Sequence, residues 1–342
     1  MRAYVGLDVS HKDTSVCVID RDGRVLEEFT SRSDPTSLSD ALLGRRYAYA
    51  RVGLEACTIS AWLYEGMAAR GLPVICIDAR HAHGVLSNRV NKTDRNDARG
   101  IAEIMQSGFY KAAHLKSATS REIRAVLTAR RLLAAKIRDL ENGIAGIFAG
   151  FGLIVARARG NKHYEAQVRQ FAEENPSVER WFGPLMQVRD VLRAEFEQLD
   201  GTVKVMAQSD PVCRRLMTAP GIGPVGAVTY RAAVDIPTRF KQSRNVAAHL
   251  GLTPKTRQSG GMDWRGRISK CGDKHARTAL FVAATSVLRA RTGPSPLRKW
   301  GLEVAERRGR MKAKIAVARR LAVILHRMWI DGTDYGDGLA TA

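Results

Sequence analysis

The first 80 residues contain five short β-rich runs, and their order constrains the fold more than any other feature of the chain. The runs are AYVGLDVS, DTSVCVID, RVLEEFTS, YAYARVGLEA and LPVICIDA, with the turn RDG after the second and an amphipathic helix pattern, TISAWLYEGMAARG, before the last. Short apolar runs between turn signals predict strands. A strand meander followed by strand, helix and strand predicts an α/β domain with at least one parallel pairing.

Long helical patterns follow this region. In the segment REIRAVLTARRLLAAKIRDLENGIAGIF, two sets of positions repeat at seven, with Arg130 the one polar exception: Ile123, Arg130, Ile137, Ile144 and Val126, Leu133, Leu140, Ile147. A second block repeats in the same way at Leu185, Leu192, Leu199 and Met206. Heptads predict two long antiparallel arms of coiled-coil type, with GFGLIVARARGNKHY as the hinge. An internal helical hairpin and a dimer interface explain this pattern equally well.

Positive charge dominates the chain, and its distribution is uneven. There are 55 Lys and Arg residues against 34 Asp and Glu, a formal net charge of +21, with hydrophobic residues at 45%. Residues 239–327 alone carry 22 Lys or Arg and 4 Asp or Glu. The composition is that of a globular protein, and the basic excess indicates a polyanionic partner, with nucleic acid the leading candidate.

The cysteines and the N-terminus indicate the compartment. The five cysteines are scattered and form no C-x-x-C pair, a pattern that favours neither a disulfide framework nor a zinc knuckle. The start, MRAYVGLDVS, lacks the apolar core of a signal peptide, and no run of 18 apolar residues occurs. We therefore expect no membrane association and a cytoplasmic location, at the nucleoid when the protein is bound to DNA.

Two segments of the last third are candidates for nucleic-acid contact. The turn PGIG, with Gly221 and Gly223, is flanked by two short helix patterns and is typical of a helix–hairpin–helix module, in which backbone N–H groups approach a phosphate. A plain helical turn could contain the same residues. The stretch LGLTPKTRQSGGMDWRGRISKCGDKHAR is predicted to be a basic glycine-rich loop, covered by apolar helices before a mobile tail.

Four carboxylates are the candidates for a metal site. Asp8 and Glu55 each follow a Gly-Leu pair at the end of a predicted strand, and Asp94 and Asp97 lie where a polar turn enters a helix. Singly, each is best explained as a strand-end residue or, for the helix pair, as an N-cap and a first-turn acid. If the strands leave the sheet in the same direction, all four acids meet at one edge. Carboxylates at that density repel unless a cation neutralises them, and oxygen-only ligands favour Mg²⁺ or Mn²⁺ over zinc.

These motifs carry a family resemblance. VGLDVS, the following hairpin, Glu55 and KTDRNDA resemble the RuvC-type branch of the ribonuclease-H-like fold, and more closely the Asp-Glu-Asp-Asp transposases of bacterial insertion sequences and the Piv-type invertases. The likeness continues through PGIGPVGA, HLGLTP and the SGG and GRISKCGD segments, over about residues 1–330. It implies a RuvC-like catalytic domain at 1–115, helical dimerisation arms at 116–210, a mainly α-helical C-terminal transposase domain at 211–330 and a tail at 331–342.

Ser259 is the candidate nucleophile. It precedes Gly260 and Gly261, which leave room for a phosphodiester, and cations that can stabilise a charged phosphorane flank it: Arg257, Arg265, Arg267 and Lys270. From the residues alone, a flexible basic loop in which Ser259 is a turn former is the better explanation. The resemblance reverses this preference, because members of the family use a serine in this segment as the nucleophile.

The resemblance implies a complete mechanism. Mg²⁺ held by the four acids and a phosphoserine intermediate at Ser259 would exchange strands of donor and target DNA without ATP. The acids of one subunit would act with the serine of another, in a dimer that forms a tetramer in the synaptic complex. A non-coding bridge RNA would select the sequences by base pairing while the basic surface binds backbones.

Three other functions remain open at this stage. A metal-dependent junction nuclease would cut DNA without a covalent intermediate, and its activity would survive Ser259→Ala. A non-enzymatic DNA-binding protein would tolerate neutralisation of Asp94 or Asp97. A sugar-kinase-like ATPase shares the strand meander, but the chain offers no convincing pair of later glycine-rich phosphate loops.

Overall fold

The computed structural model of the protein describes residues 2–87, 91–152, 154, 161–174, 176–289 and 293–336. The chain divides into two compact units, Met1–Lys116 and Ser117–Ala342. The first unit ends one residue beyond the predicted boundary at 115, and the predicted arms and C-terminal domain both lie in the second. Residues 153 and 155–160 of the predicted hinge at 150–164, and residues 337–342 of the predicted tail, lie outside the described residues.

The first unit is mixed α/β, as predicted. Its elements in chain order are β1 (Arg2–Val9), β2 (Asp13–Ile19), β3 (Val25–Arg32), α1 (Pro35–Leu43), β4 (Ala48–Glu55), α2 (Ser60–Ala69), β5 (Val74–Ile77), α3 (Ala79–Leu86) and α4 (Asp94–Ser107). The five predicted strands and the helix α2 are confirmed. The helices α1 and α3 were not predicted, because both are short; α1 begins with Asp34 as its N-cap, ahead of Pro35, which is a recognisable start signal.

The strands form one sheet in the order β3-β2-β1-β4-β5. The meander β1-β2-β3 is antiparallel, whereas β4 pairs with β1 and with β5 in parallel. Parallel neighbours end at the same edge of a sheet. The carboxyl ends of β1, β4 and β5 therefore lie side by side.

Helix α4 packs directly on the backbone of β1. A Cβ built on Gly6 would lie 2.0 Å from the carbonyl oxygen of Ala98 and 2.3 Å from the amide nitrogen of Ala102. Only glycine permits this approach, since any side chain would overlap the helix backbone. The contact fixes the first turns of α4 beside the carboxyl-terminal half of β1.

The second unit is mainly helical and contains one β-hairpin. Its elements are α5 (Ala118–Ala149), α6 (Asn161–Glu174), α7 (Pro176–Ser209), α8 (Pro211–Leu216), α9 (Pro224–Val234), α10 (Arg244–His249), β6 (Pro254–Ser259), β7 (Met262–Ile268), α11 (Lys274–Leu288), α12 (Pro296–Arg308) and α13 (Arg310–Asp331), with a 3-10 turn at Pro237–Arg239. Its main core includes residues of α8 to α11 and α13, and Tyr230 of α9 donates a buried hydrogen bond to the carbonyl of Ala322 at 2.7 Å.

The two predicted arms are the long helices α5 and α7, and they pack on each other within the chain. Arg130, the exception in the heptad, forms an ion pair with Asp200 of α7, with Nε 2.8 Å from Oδ1. Phe148, fully buried in a cluster with residues of α6 and α7, lies outside both heptad sets, whereas the predicted Ile147 is 43% exposed. A coiled coil is not confirmed, because α5 packs against α7, α6 and α9 rather than along one seam.

Two further expectations are changed by the structure. The segment predicted as a loop is the hairpin β6-β7. The described part of the tail, predicted to be mobile, is held by a hydrogen bond from the Tyr335 amide to Thr218 Oγ1 at 2.9 Å.

Among the described residues, no helix is long and apolar enough to cross a membrane.

Candidate active site

Asp8 and Glu55 lie at one edge of the sheet, as their positions at strand ends predict. The register of the parallel strands β1 and β4 pairs Leu7 with Leu54, so the two acids follow this pair on neighbouring strands. Both side chains are half-buried. Two carboxylates are therefore held side by side on rigid strands.

The start of α4 brings Asp94 and Asp97 towards the same edge. Asp97 directly precedes Ala98, whose carbonyl lies against Gly6 of β1. The N-cap is Thr93, whose hydroxyl accepts from the Asn96 amide at 3.2 Å; the expectation of an aspartate N-cap is therefore wrong. Asp94 and Asp97 occupy the first turn, where the helix dipole favours negative charge. With the cap supplied by Thr93, neither carboxylate is needed for capping.

Electrostatics shows that the four acids act on one another. The pKa of Asp8 is raised from 3.8 to about 6, first by burial and then by the negative charges of Asp97, Asp94 and Glu55, against a lowering by Lys92. A carboxyl group responds in this way to like charges only when they are close. The structure therefore brings together the four carboxylates that the sequence singled out.

Two basic residues near the acids were missed from the sequence. The pKa of Glu55 is raised by burial and by Asp97, and lowered by His83 of α3 and by Lys92. Lys92 is the first residue of the KTDRNDA motif, two positions before Asp94, so the sequence contained a signal for it. His83 is distant from the acids in sequence, and only the fold brings its charge near Glu55. These groups offset part of the negative charge.

The donor set suits a divalent cation by its chemistry. Carboxylate oxygens in excess are the ligands that Mg²⁺ and similar hard cations take. However, the described residues contain no group of three or more His, Cys, Asp or Glu side chains already arranged to hold a metal ion. The four acids are thus near one another without forming a preassembled coordination shell.

Ser259 ends β6 at the tip of the exposed hairpin. Gly260 and Gly261 form its two-residue turn, with φ of +53° and +87°, and pair Ser259 with Met262. Positive φ at both turn positions is the requirement of a type I′ hairpin turn, so the two glycines have a backbone role. A Cβ on either would meet nothing within 4 Å, so the tip is also open as expected.

One face of the hairpin groups the serine with apolar side chains that the sequence reading missed. Paired residues of an antiparallel ladder share a face, and residues two apart on one strand do so as well. Ser259 pairs with Met262 and Arg257 pairs with Trp264, so all four lie on the same face. Met262 is 72% exposed and Trp264 55% exposed. The other face carries a cross-strand bond from Gln258 Nε2 to Asp263 Oδ1 at 3.1 Å.

The predicted basic residues are spread along the hairpin: Arg257 lies near the serine, whereas Arg267 and Lys270 lie at the base, where Ile268 pairs with Pro254 and the Lys270 amide donates to the Gly251 carbonyl. Arg257, Arg267 and Lys270 are exposed and have no acidic partner among the residues that the structure describes. The backbone of Arg265 pairs with Thr256, and its side chain lies outside the described part. Arg257, two residues before Ser259 and on the same face, is therefore the described cation suited to a phosphodiester held at the hydroxyl, whereas Arg267 and Lys270 are not beside it.

The PGIG turn lies between α8 and α9, but its glycines differ in role. Gly221 has φ of +80°, and a Cβ there would lie 2.7 Å from the carbonyl oxygen of Ala283 in α11, so packing requires this glycine. Gly223 is the N-cap of α9, with no side-chain cap and nothing within 4 Å of a built Cβ. Both line a cavity of about 410 Å³ with Arg130 and Arg131. A helix–hairpin–helix contact to phosphate is not confirmed by this geometry.

Comparison with known proteins relates two parts of the chain to transposases. Residues 5–151 match the DEDD family of IS110 transposases, described as "Transposase", and residues 213–298 match the "Transposase IS116/IS110/IS902 family". The "Transposase for insertion sequence element IS1111A" of Coxiella burnetii is 28% identical over 94% of this chain and 88% of its own length. The "Probable family 20 transposase" of Pseudomonas aeruginosa is 28% identical over 72% of this chain and 75% of its own length.

A solved structure, RuvC of Thermus thermophilus, matches 32% of this chain and 99% of its own length, at 14% identity and a TM-score of 0.24. That likeness is too weak to establish the fold. The two family matches, in contrast, fall on separate parts of the chain and contain the four acids and Ser259 respectively. This chain belongs to the IS110/IS116 family of insertion-sequence transposases and is an enzyme that acts on DNA.

Proposed function

We propose that the protein exchanges DNA strands of an insertion sequence through a covalent bond to Ser259, with a divalent cation, Mg²⁺ or Mn²⁺, held by Asp8, Glu55, Asp94 and Asp97. The observation that carries the proposal is the meeting of the four carboxylates at one edge of the sheet, where burial first, and then the negative charges of Asp97, Asp94 and Glu55, raise the pKa of Asp8 to about 6. Four acids in a chain with net charge +21 repel one another, and a cation relieves that repulsion.

The acids supply the oxygen ligands, and the first unit would be a RuvC-type ribonuclease-H-like catalytic domain. When bound, the metal ion polarises phosphoryl oxygens and stabilises the charge of the displacement. Asp8 and Glu55 are fixed by the ends of β1 and β4, and Asp94 and Asp97 by the first turn of α4. The packing of α4 on Gly6 keeps the two pairs together.

Ser259 supplies the nucleophile. Its Oγ forms a bond to phosphorus while the bond from phosphorus to one deoxyribose oxygen breaks; the hydroxyl proton goes to solvent and the released oxygen takes up a proton. The reverse reaction with another strand end rejoins DNA, so no nucleotide triphosphate is consumed. Arg257 shares a face with Ser259, has no acidic partner in the described part of the chain and would stabilise the phosphorane. Arg265, Arg267 and Lys270 lie farther down the hairpin and would bind neighbouring backbone phosphates.

The selection of sequence belongs to the same proposal. A bridge RNA would pair with donor and target DNA, and the basic second unit would bind backbones of both nucleic acids. The subunits would form a dimer and, in the synaptic complex, a tetramer, with the acids of one subunit acting beside the serine of another. The N-terminus of α9 at Gly223 would contact phosphate.

The decisive experiment looks for the covalent intermediate. The full-length protein is expressed with its native flanking DNA, complexes are denatured, and peptides joined to DNA are identified by mass spectrometry. We expect an adduct at Ser259 that is absent from Ser259→Ala and from Asp97→Ala. Ser269→Ala is the matched control, because Ser269 lies at the base of the same hairpin and should keep the adduct.

Each alternative gives a different result. Cut DNA without an adduct, in the wild type and in Ser259→Ala alike, would identify a metal-dependent nuclease in which Ser259 has no chemical role. Specific DNA binding with neither cleavage nor adduct would identify a non-enzymatic DNA-binding protein.

A further inference from the structure

A second cavity lies at the base of the hairpin, at the end opposite Ser259. It measures about 480 Å³, and its floor is apolar: Leu252, Pro254 and Ile268 come from the hairpin base, Trp300 from α12 and Ile315 from α13. Pockets of about 300–1,000 Å³ with apolar walls and a few polar groups are the usual binding sites for small organic groups. The cavity is therefore large enough for a ligand with a flat apolar part.

Three cations border this cavity without compensating acids. Lys312, Arg319 and Arg320 are seven and eight positions apart on α13, so they share one face of the helix. In the described part of the chain none of them forms an ion pair. The guanidinium of Arg320 lies over the ring of Trp300, 4.5 Å from its centroid, and both residues line the cavity. The ligand should therefore combine an apolar planar group with negative charge.

We propose that this cavity binds one unpaired nucleotide of a DNA strand. The base occupies the apolar floor and stacks on the Arg320–Trp300 pair, as bases do on aromatic rings and guanidinium planes. Lys312 and Arg319 bind the adjoining phosphates. This assignment rests on the proposed function, because the hairpin relates the cavity to the strand that Ser259 attacks.

The hairpin sets the distance between the two positions. Five steps of about 3.4 Å separate Pro254 at its base from Ser259 at its tip, roughly 17 Å along the strand. That distance is a few nucleotides of a single strand. The cavity would therefore hold a nucleotide a few positions from the attacked phosphodiester and keep that part of the strand unpaired.

The lining offers no side-chain acceptor for a ribose 2′-hydroxyl, so the proposal is made for DNA. The residues that line the cavity are apolar or cationic, and none of them has a hydroxyl, amide or carboxylate in its side chain. A site that selects RNA needs partners for the 2′-hydroxyl, which donates and accepts hydrogen bonds. Binding of a single RNA nucleotide is therefore the contrary outcome in the test below.

The test measures binding of short single-stranded DNA to full-length Ser259→Ala protein by fluorescence anisotropy. The DNA is a set of strands of twelve nucleotides, and each strand carries a single abasic site at a different position. At one position, the missing base should weaken binding by roughly tenfold, since stacking contributes about 1–3 kcal/mol per base. In Ala316→Phe, which fills the cavity, the same abasic site should have no effect.

A charge pair provides a second variant in case Ala316→Phe folds poorly. Lys312→Ala with Arg319→Ala should weaken binding and reduce its salt dependence more than Arg310→Ala with Arg327→Ala, a matched control of exposed cations on α13 that do not line the cavity. A 5-iododeoxyuridine at the sensitive position should crosslink to Trp300.

Three results would overturn the proposal. The first is that the abasic site weakens binding equally with and without Ala316→Phe. The second is that the crosslinks map outside residues 252–268 and 300–323. The third is that a missing base weakens binding of RNA but not of DNA. All of these are read from binding in a protein without Ser259, so a failure to find the covalent adduct leaves this test intact.

Discussion

At the scale of single residues, Asp8 is the most perturbed of the four acids. Its raised pKa comes first from burial and then from Asp97, Asp94 and Glu55. A carboxyl whose pKa is higher in the folded than in the unfolded state binds more protons when folded. Its contribution to stability is therefore present below pH 4 and is lost as the pH rises through about 6.

The consequence can be measured in metal-free protein. Without divalent cations, the melting temperature of Asp8→Asn should exceed that of the wild type at pH 7.5, and this advantage should vanish at pH 4, because the substituted amide carries no charge to repel the other acids. Asp13→Asn, an exposed neighbour on β2, should show no such dependence. Adding Mg²⁺ should stabilise the wild type at pH 7.5 and leave Asp8→Asn nearly unchanged; the reverse order would contradict a cation site.

Individual residues also show where reasoning from the sequence succeeds. The acids were identified because each follows a recognisable strand or helix signal, and the parallel order of β1 and β4 then determines that they meet. His83 was missed because it is distant in sequence and no local pattern connects it with Glu55. The role of Ser259 came from resemblance, since an exposed serine beside two glycines is also typical of a plain turn.

At the scale of elements, the packing of α4 on β1 positions half of the acid cluster. Gly6→Ala should force the helix away from the strand and cost about 1–3 kcal/mol or more through overpacking. The displaced first turn should also weaken Mg²⁺ binding, measured by calorimetry. Gly84→Ala in α3, where a Cβ meets nothing within 4 Å, is the control and should be neutral or slightly stabilising.

The hairpin is the second decisive element, and Trp264 is its largest exposed side chain. Because Trp264 shares a face with Ser259, we expect it to stack on a base beside the attacked phosphodiester. Trp264→Ala should reduce adduct formation roughly tenfold, in line with about 1–3 kcal/mol for stacking on one base, and Trp264→Phe should retain most of it. Trp62→Ala, at 52% exposure in α2, is matched in exposure and should have no effect.

The hairpin was also the element that the sequence did not predict, since its residues were expected to form a loop. Every residue of β6 is exposed, so the alternation of apolar and polar positions that reveals a strand is absent. The remaining signal was the Gly-Gly pair itself, which the type I′ turn requires. In the first unit, by contrast, every strand except β3 contains buried residues, and these form the apolar runs by which the strands were recognised.

At the scale of the whole molecule, the four acids belong to the first unit of the chain and Ser259 to the second. If subunits share these groups, Asp97→Ala protein and Ser259→Ala protein should each be inactive alone and recover part of the strand exchange when mixed. Recovery would be measured on plasmid substrates with the native flanking DNA. An inactive mixture, with both proteins folded and bound to DNA, would place each complete site within one subunit.

The long helices show how much of their packing a seven-residue repeat in the sequence predicts. The heptads predicted two long helices that pack either on each other or on a partner subunit, and α5 and α7 pack on each other, with Arg130 bound to Asp200. They predicted the buried Ile137 and Ile144 of α5 but not the buried Leu127 and Phe148, because a helix with several partners buries more than one stripe. Phe148 in α5 is buried by α6 and α7 together, which a two-stranded repeat cannot anticipate.

Because the turn has a fixed length of two residues, the face on which Ser259 lies depends on whether the strands below it have an odd or an even number of residues. Ser259 faces the same way as Trp264 because they belong to pairs two rungs apart on one ladder. Lengthening both strands by one residue below the serine would turn it to the opposite side, whereas lengthening both by two would restore its side and raise it by about 6.8 Å. With the side chain of Ser259 kept on this face, its distance from the base of the hairpin can therefore change only in steps of two residues per strand.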